Sequence, residues 1–206
     1  MRRRVLITVA IAAITLGVYL SSGVWWTGSG GEPLVQDTSQ FQTGDLLFVR
    51  GMSWRSRIVL LINGGGSDFS HVGLVWRRNG RPFVIHATPT SSDKPEGGGV
   101  MVDPLRKFLS TKHVLQAALY RVKDRKGDIA KRAAATAQRY AAQALPFDHE
   151  FDASTSSKLY CTELIWRAYR EAELNLLSTF SESASDPLLP AALSQSRLLT
   201  EVARFQ

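Results

Sequence analysis

Leu159-Tyr160-Cys161-Thr162-Glu163-Leu164-Ile165-Trp166 holds the single cysteine of a 206-residue chain, where a polar loop gives way to an apolar periodic run. A loop-to-helix junction places Cys161 beside unpaired backbone N–H groups and the positive end of a helix dipole. That environment favours the thiolate, the nucleophilic form, and predicts a lowered thiol pKa. A lone cysteine in a first helical turn is also a common small core residue. The decision rests on whether the chain supplies a base, a group to orient it, and a pocket.

With 44% hydrophobic residues the chain can bury one good core. One cysteine excludes an internal disulfide and Cys-rich zinc sites, and the four histidines show no H-x-x-x-H spacing. No metal or cofactor is expected. Arg2, Arg3 and Arg4 supply three of the seven net positive charges, and the other basic residues are scattered. Without a basic element carrying interleaved aromatics, nucleic acid is not the expected partner.

Arg2–Arg4 precede 22 uncharged residues, Val5 to Trp26, enough to span a bilayer as a helix. The arginines keep that end cytoplasmic and send the remainder outward. Residues 1–26 therefore read as an uncleaved transmembrane anchor, with a cleaved signal peptide as the alternative. Both place the domain outside the cytoplasm, on an inner membrane facing the periplasm or free in it. Residues 27–40 are Gly/Ser-rich and read as a linker, and residues 41–206 as the folded domain.

Within that domain, Thr43–Arg50, His71–Trp76, Pro82–Ala87, Val100–Val102 and His113–Val122 read as strands, and Asn79-Gly80 marks a hairpin turn. Trp54–Ile62, Pro104–Leu109, Asp128–Ala144 and Cys161–Glu173 have helical spacing, with Leu188–Leu193 a further helical stretch. Leu198–Phe205 fits either helix or a closing strand. A small antiparallel sheet followed by helices is an α+β domain. In the hairpin, His71 lies eight residues before Asn79 and His86 six after Gly80, so pairing brings the imidazoles within one or two rungs. A cysteine hydrolase needs a thiol, an imidazole base and a polar group that fixes the base's tautomer. Cys161, His71 and His86 fill these three roles. Tyr160 could line the site, and Asp45, Asp148, His113 and His149 read as turn, cap or surface residues.

Gly44-Asp45-Leu46-Leu47-Phe48, Ser70-His71-Val72-Gly73-Leu74-Val75 and Phe83-Val84-Ile85-His86-Ala87 resemble the strand motifs of the NlpC-related papain-like hydrolases. In that family the cysteine precedes these strands, whereas here it follows them in Tyr160-Cys161-Thr162-Glu163-Leu164. The reversed order resembles the circularly permuted, YiiX-type branch, to which the lecithin:retinol acyltransferase group is related. The resemblance implies a permuted papain-like fold over about residues 43–170, with Cys161 as nucleophile, His71 as general base and His86 as orienting residue. An acidic residue often stands third in the YiiX-type pattern, so His86 sits closer to the NlpC and acyltransferase arrangements. The implied activity is cleavage of an amide or ester, in a cell-wall peptide or a lipid acyl linkage, through an acyl-enzyme. Acyl transfer would differ only in the acceptor. A non-catalytic binding module on the same fold is the rival from another class, and a thiol sensor is disfavoured by the lack of a resolving cysteine.

Overall fold

The computed structural model describes residues 31–52, 68–89, 97–123, 128–177 and 188–206. The expected N-terminal hydrophobic helix and the helical stretch 54–62 lie outside the described residues, among which no helix is long and apolar enough to cross a membrane.

Six strands make one antiparallel sheet: β1 (Leu46–Gly51), β2 (His71–Arg78), β3 (Arg81–Pro89), β4 (Gly98–Pro104), β5 (Val114–Val122) and β6 (Leu199–Phe205). Their order is β4-β3-β2-β1-β5-β6. Among the described residues four helices accompany it: α1 (Leu105–Phe108), α2 (Asp128–Ala142), α3 (Cys161–Glu171) and α4 (Pro190–Ser194). The mixed α/β architecture with an antiparallel sheet is the expected one, and the last stretch resolves as the closing strand at an edge.

The sheet is buried on both faces near its middle. Leu46 and Phe48 of β1, Val72 and Leu74 of β2, and Ile85 and Ala87 of β3 pack with α2 and α3. Leu47, Val49, Val75 and Val84 face the other way, toward α1 and Val35. Covering both faces explains why β1 reads as an unbroken apolar run rather than an alternation. In α3, Leu164, Ile165 and Trp166 are all nearly inaccessible, each stabilising the fold by about 1.5–3 kcal/mol through burial. That packing fixes where the helix, and so Cys161 at its first turn, sits against the sheet.

The hairpin forms as expected. Asn79 and Gly80 have φ of 50° and 76°, the two positive values of a type I′ turn, whose twist matches the strands. Pairing then runs from Arg78↔Arg81 to Leu74↔Ile85, which puts His71, Gly73 and Val75 on the same face as His86 and Val84. Gly73 is required there. A β-carbon at this position would lie 2.3 Å from Val84 Cγ1 and 3.3 Å from His86 Cβ. Gly73→Ala is therefore expected to destabilise the fold by about 2 kcal/mol through overpacking, read as a lower urea midpoint. An unchanged midpoint would show that β2 and β3 part without cost.

The stretch read as a linker is ordered at its end. Leu34 N–H donates to Leu109 O at 2.8 Å, and Thr111 N–H to Glu32 O at 2.9 Å. The apolar pair Leu34-Val35 escapes water by lying on α1 and the sheet, which a polar composition average over residues 27–40 conceals. On the neighbouring strand, Arg121 clamps the buried Asp45 carboxylate with two contacts of 2.7 and 2.8 Å. Asp45 is thus more than a turn residue: it ties the start of β1 to β5.

Candidate active site

β2 begins at His71 and β3, running the other way, carries His86 before ending at Pro89. The two side chains are diagonal neighbours on one face. His71 Nε2 and His86 Nδ1 are 3.0 Å apart, and the Phe108 ring of α1 covers both, with centroids 5.7 and 5.0 Å away. The sequence-based pairing of the histidines therefore holds in the structure.

β4 adds a residue the sequence reading passed over. Asp103 lies opposite Val84 on the face that also carries His86, and its Oδ2 is 3.4 Å from His86 Nε2. Lys107, one helical turn on, sits 2.7 Å from Oδ1. Burial pulls the Asp103 carboxyl upward, but the contacts with His86 and Lys107 outweigh it and hold it below the usual range. A carboxylate beside Nε2 selects the His86 tautomer with a proton on that nitrogen. His86 Nδ1 then accepts from His71 Nε2–H, which leaves His71 Nδ1 with the free lone pair. Two hydrogen bonds thus decide which nitrogen of His71 is basic. The signal was available in the parity of β4, where Met101 pairs with His86 and Asp103 falls two residues on.

Cys161 is the first residue of α3, after Tyr160 in an extended conformation. α3 packs on the sheet face opposite the imidazoles, and its N-terminus reaches the end where β2 starts. The backbone N–H of Val72, the residue after His71, donates toward the sulfur, as do those of Thr162 and Cys161 itself. Thr162 Oγ1 is 3.6 Å away. These donors favour a thiolate, yet burial outweighs them and pushes the Cys161 thiol up. The expectation of a lowered pKa is corrected: the helix terminus is present, but the apolar enclosure dominates. Burial, then repulsion from His86, pushes the His71 imidazole down to about 3. At neutral pH the site holds a thiol and a neutral imidazole. His71 as a residue is partly exposed.

Tyr160 is nearly inaccessible, and its hydroxyl accepts the Leu188 N–H at 2.9 Å, which packs its ring beside the start of α3. His113 and His149 are exposed, as expected. Asp148 is fully buried and accepts the Glu150 and Asp152 amides at 3.0 and 2.7 Å, a cap for the loop leading to the cysteine. Glu163, also fully buried, meets Arg167 Nε at 2.6 Å. Arg167 in turn holds the Ala153 and Thr155 carbonyls at 2.6 and 2.7 Å, which pins the same loop to α3.

Comparison with known proteins adds three findings. The model of a family described as permuted papain-like amidase enzyme, YaeF/YiiX, C92 family, matches residues 40–186. The uncharacterized protein YiiX of Escherichia coli K12 is 29% identical over 137 residues, 65% of this chain and 59% of its own. The chain thus spans about three fifths of the length of that curated relative. A crystal structure described as metalloprotein yiiX from Escherichia coli O157:H7 is similar with a TM-score of 0.62 and 25% identity, covering 80% of this chain and 97% of that one.

Proposed function

Because the chain belongs to the permuted papain-like amidase family of YaeF and YiiX, we propose that it is a cysteine hydrolase that opens an amide or ester through an acyl-enzyme on Cys161. The observation that carries this reading is the line from Asp103 through His86 to His71, ending beside Val72, whose amide meets the Cys161 sulfur.

A neutral thiol and a neutral imidazole define the first step. As the substrate carbonyl approaches, the thiol proton passes to His71 Nδ1 while a bond forms between sulfur and carbonyl carbon. The Cys161 N–H, at the helix start, turns from the sulfur to the developing oxyanion as its donor. The bond to the leaving group then breaks, and His71 returns its proton to the departing nitrogen or oxygen. Water next gives a proton to His71 and attacks the thioester, which releases the acid and restores the thiol. Throughout, His86 holds the imidazole in one tautomer and the Asp103 carboxylate stabilises the charge that His71 and His86 share.

The crystallised relative is described as a metalloprotein. Among the described residues no three His, Cys, Asp or Glu side chains converge as a metal site, and both His86 nitrogens already face His71 and Asp103. This donor set does not fit a metal ion, and no step is routed through one.

Arg2–Arg4 and the uncharged run to Trp26 support a location outside the cytoplasm, held at the inner membrane or released from it, where peptidoglycan peptides and lipids are both within reach. The test is direct. Incubation with p-nitrophenyl acetate, followed by intact-protein and peptide mass spectrometry, is expected to show an acetyl group on Cys161 that disappears in Cys161→Ala. Acylation elsewhere, or none, would sink the acyl-enzyme. The same readout with peptidoglycan fragments and with phospholipids identifies the natural donor.

A further inference from the structure

The loop that leads into Cys161 carries a row of rings that the chemistry above does not use. Phe147 and His149 have centroids 4.9 Å apart at 72°. Phe147 and Phe151 follow at 6.0 Å and 87°, then Phe151 and Tyr160 at 5.4 Å and 62°. Tyr160 is the residue before the nucleophile. We propose that the exposed part of this row, centred on Phe151 and with the buried Tyr160 only as its packing support, is a subsite for the apolar acyl chain of the substrate, a reading that rests on the hydrolase assignment and names its substrate class.

Three observations converge on it. Phe151 is 41% exposed and has a φ of 56°, a conformation uncommon outside glycine and asparagine. The buried Asp148 carboxylate draws the Glu150 and Asp152 amides inward, and the loop closing around it turns the intervening Phe151 toward water. A backbone held in this region for the sake of an exposed aromatic is a feature associated with ligand contact. The place is also right. Phe147 N–H donates to Gly98 O at 3.2 Å, at the start of β4, and this is the sheet end where β3 finishes and β2 begins at His71. The row and the imidazoles therefore share one end of the sheet.

Ring geometry and backbone pairing select the ligand. Neighbouring rings are steeply inclined, at 62° to 87°, so they offer no continuous flat platform for a sugar or nucleobase. Their alternating edges and faces suit a flexible hydrocarbon. A peptide would need free main-chain partners for strand addition, but Leu159 N–H is bound to Pro146 O and Asp148 N–H to Leu159 O. Alkyl burial against such a strip gains roughly twofold to fourfold in affinity per methylene.

Two measurements test the subsite. Esters of p-nitrophenol from acetate to octanoate are expected to show kcat/KM rising more than tenfold with chain length, and Phe151→Ala to remove most of that rise while Phe151→Leu keeps it. A flat series in the wild type, or an equal loss at every length in Phe151→Ala, would overturn the proposal. Calorimetric binding of octanoate to Cys161→Ala reads the same strip without turnover. Tighter binding than acetate by more than tenfold, lost on adding Phe151→Ala, supports it; equal affinities overturn it. If octanoate binds but no ester acylates Cys161, the subsite stands and the hydrolase reading falls.

Discussion

Replacing His71 with Gln is expected to lower kcat/KM about a thousandfold, more than any other change outside Cys161. The size follows from the resting state. Burial pushes the Cys161 thiol up, so little thiolate exists at pH 7 and the nucleophile depends on proton removal during attack. His71 Nδ1 is the nitrogen left free for this once Nε2 is engaged with His86 Nδ1 at 3.0 Å. Gln preserves much of the side-chain volume but cannot take up the proton. His86→Ala should cost less, since the base remains and only its tautomer is released. Asp103→Asn should cost less again, because the residue acts through His86. That graded order, measured by steady-state kinetics on p-nitrophenyl esters, distinguishes a relay from independent packing roles. A His71→Gln protein that keeps more than about a tenth of wild-type kcat/KM would remove His71 from the role of base.

The histidine pair was legible in the sequence for a definite reason. Asn79-Gly80 sets the turn, a period of two sets the faces, and both are local properties. Residues separated by 15 positions could therefore be placed in contact with no tertiary information. Asp103 was hidden because the β3–β4 register depends on how the chain returns after Pro89, which no local pattern encodes. Its position before Pro104 also looked like an ordinary strand ending. The thiol's environment was misjudged on similar grounds. A helix start is visible in sequence, but the packing of Cys161 against the core is tertiary. The Leu34-Val35 contact with α1 escaped notice because a Gly/Ser-rich average outweighed two apolar residues.

A family match alone gives a reaction class; the local physics adds a direction of proton flow. In the mechanism proposed above, Asp103 sets His86, His86 sets His71, and the buried thiol makes transfer to His71 coincide with attack. The same burial accounts for the second large prediction, because two titrating groups near the site respond to pH with opposite sign.

Glu163→Gln is expected to make the fold lose more stability on acidification than the parent protein does. Burial, opposed by Arg167, raises the Glu163 carboxyl to about 7 from its model-compound value of 4.5, and its Oε2 has no hydrogen-bond partner among the described residues. The folded state therefore binds this proton more tightly than the unfolded chain. The resulting stability is present below pH 4.5 and lost as pH rises through 7, a change of about 3 kcal/mol. His71 works the other way. With the folded imidazole near 3 against 6.5 when unfolded, its stability is present above pH 6.5 and declines as pH falls, by roughly 3 kcal/mol at pH 4.5. Between pH 8 and 4.5 the two contributions nearly cancel. Removing the carboxyl while keeping an acceptor for Arg167 exposes the His71 slope, so Glu163→Gln should lose stability on acidification relative to the parent. His71→Asn should show the converse, gaining stability as pH falls. Urea denaturation of the three proteins at pH 4.5, 6 and 8 gives the slopes. Parallel curves for parent and Glu163→Gln would show that Glu163 is ionised throughout this range and that its pairing with Arg167 outweighs burial.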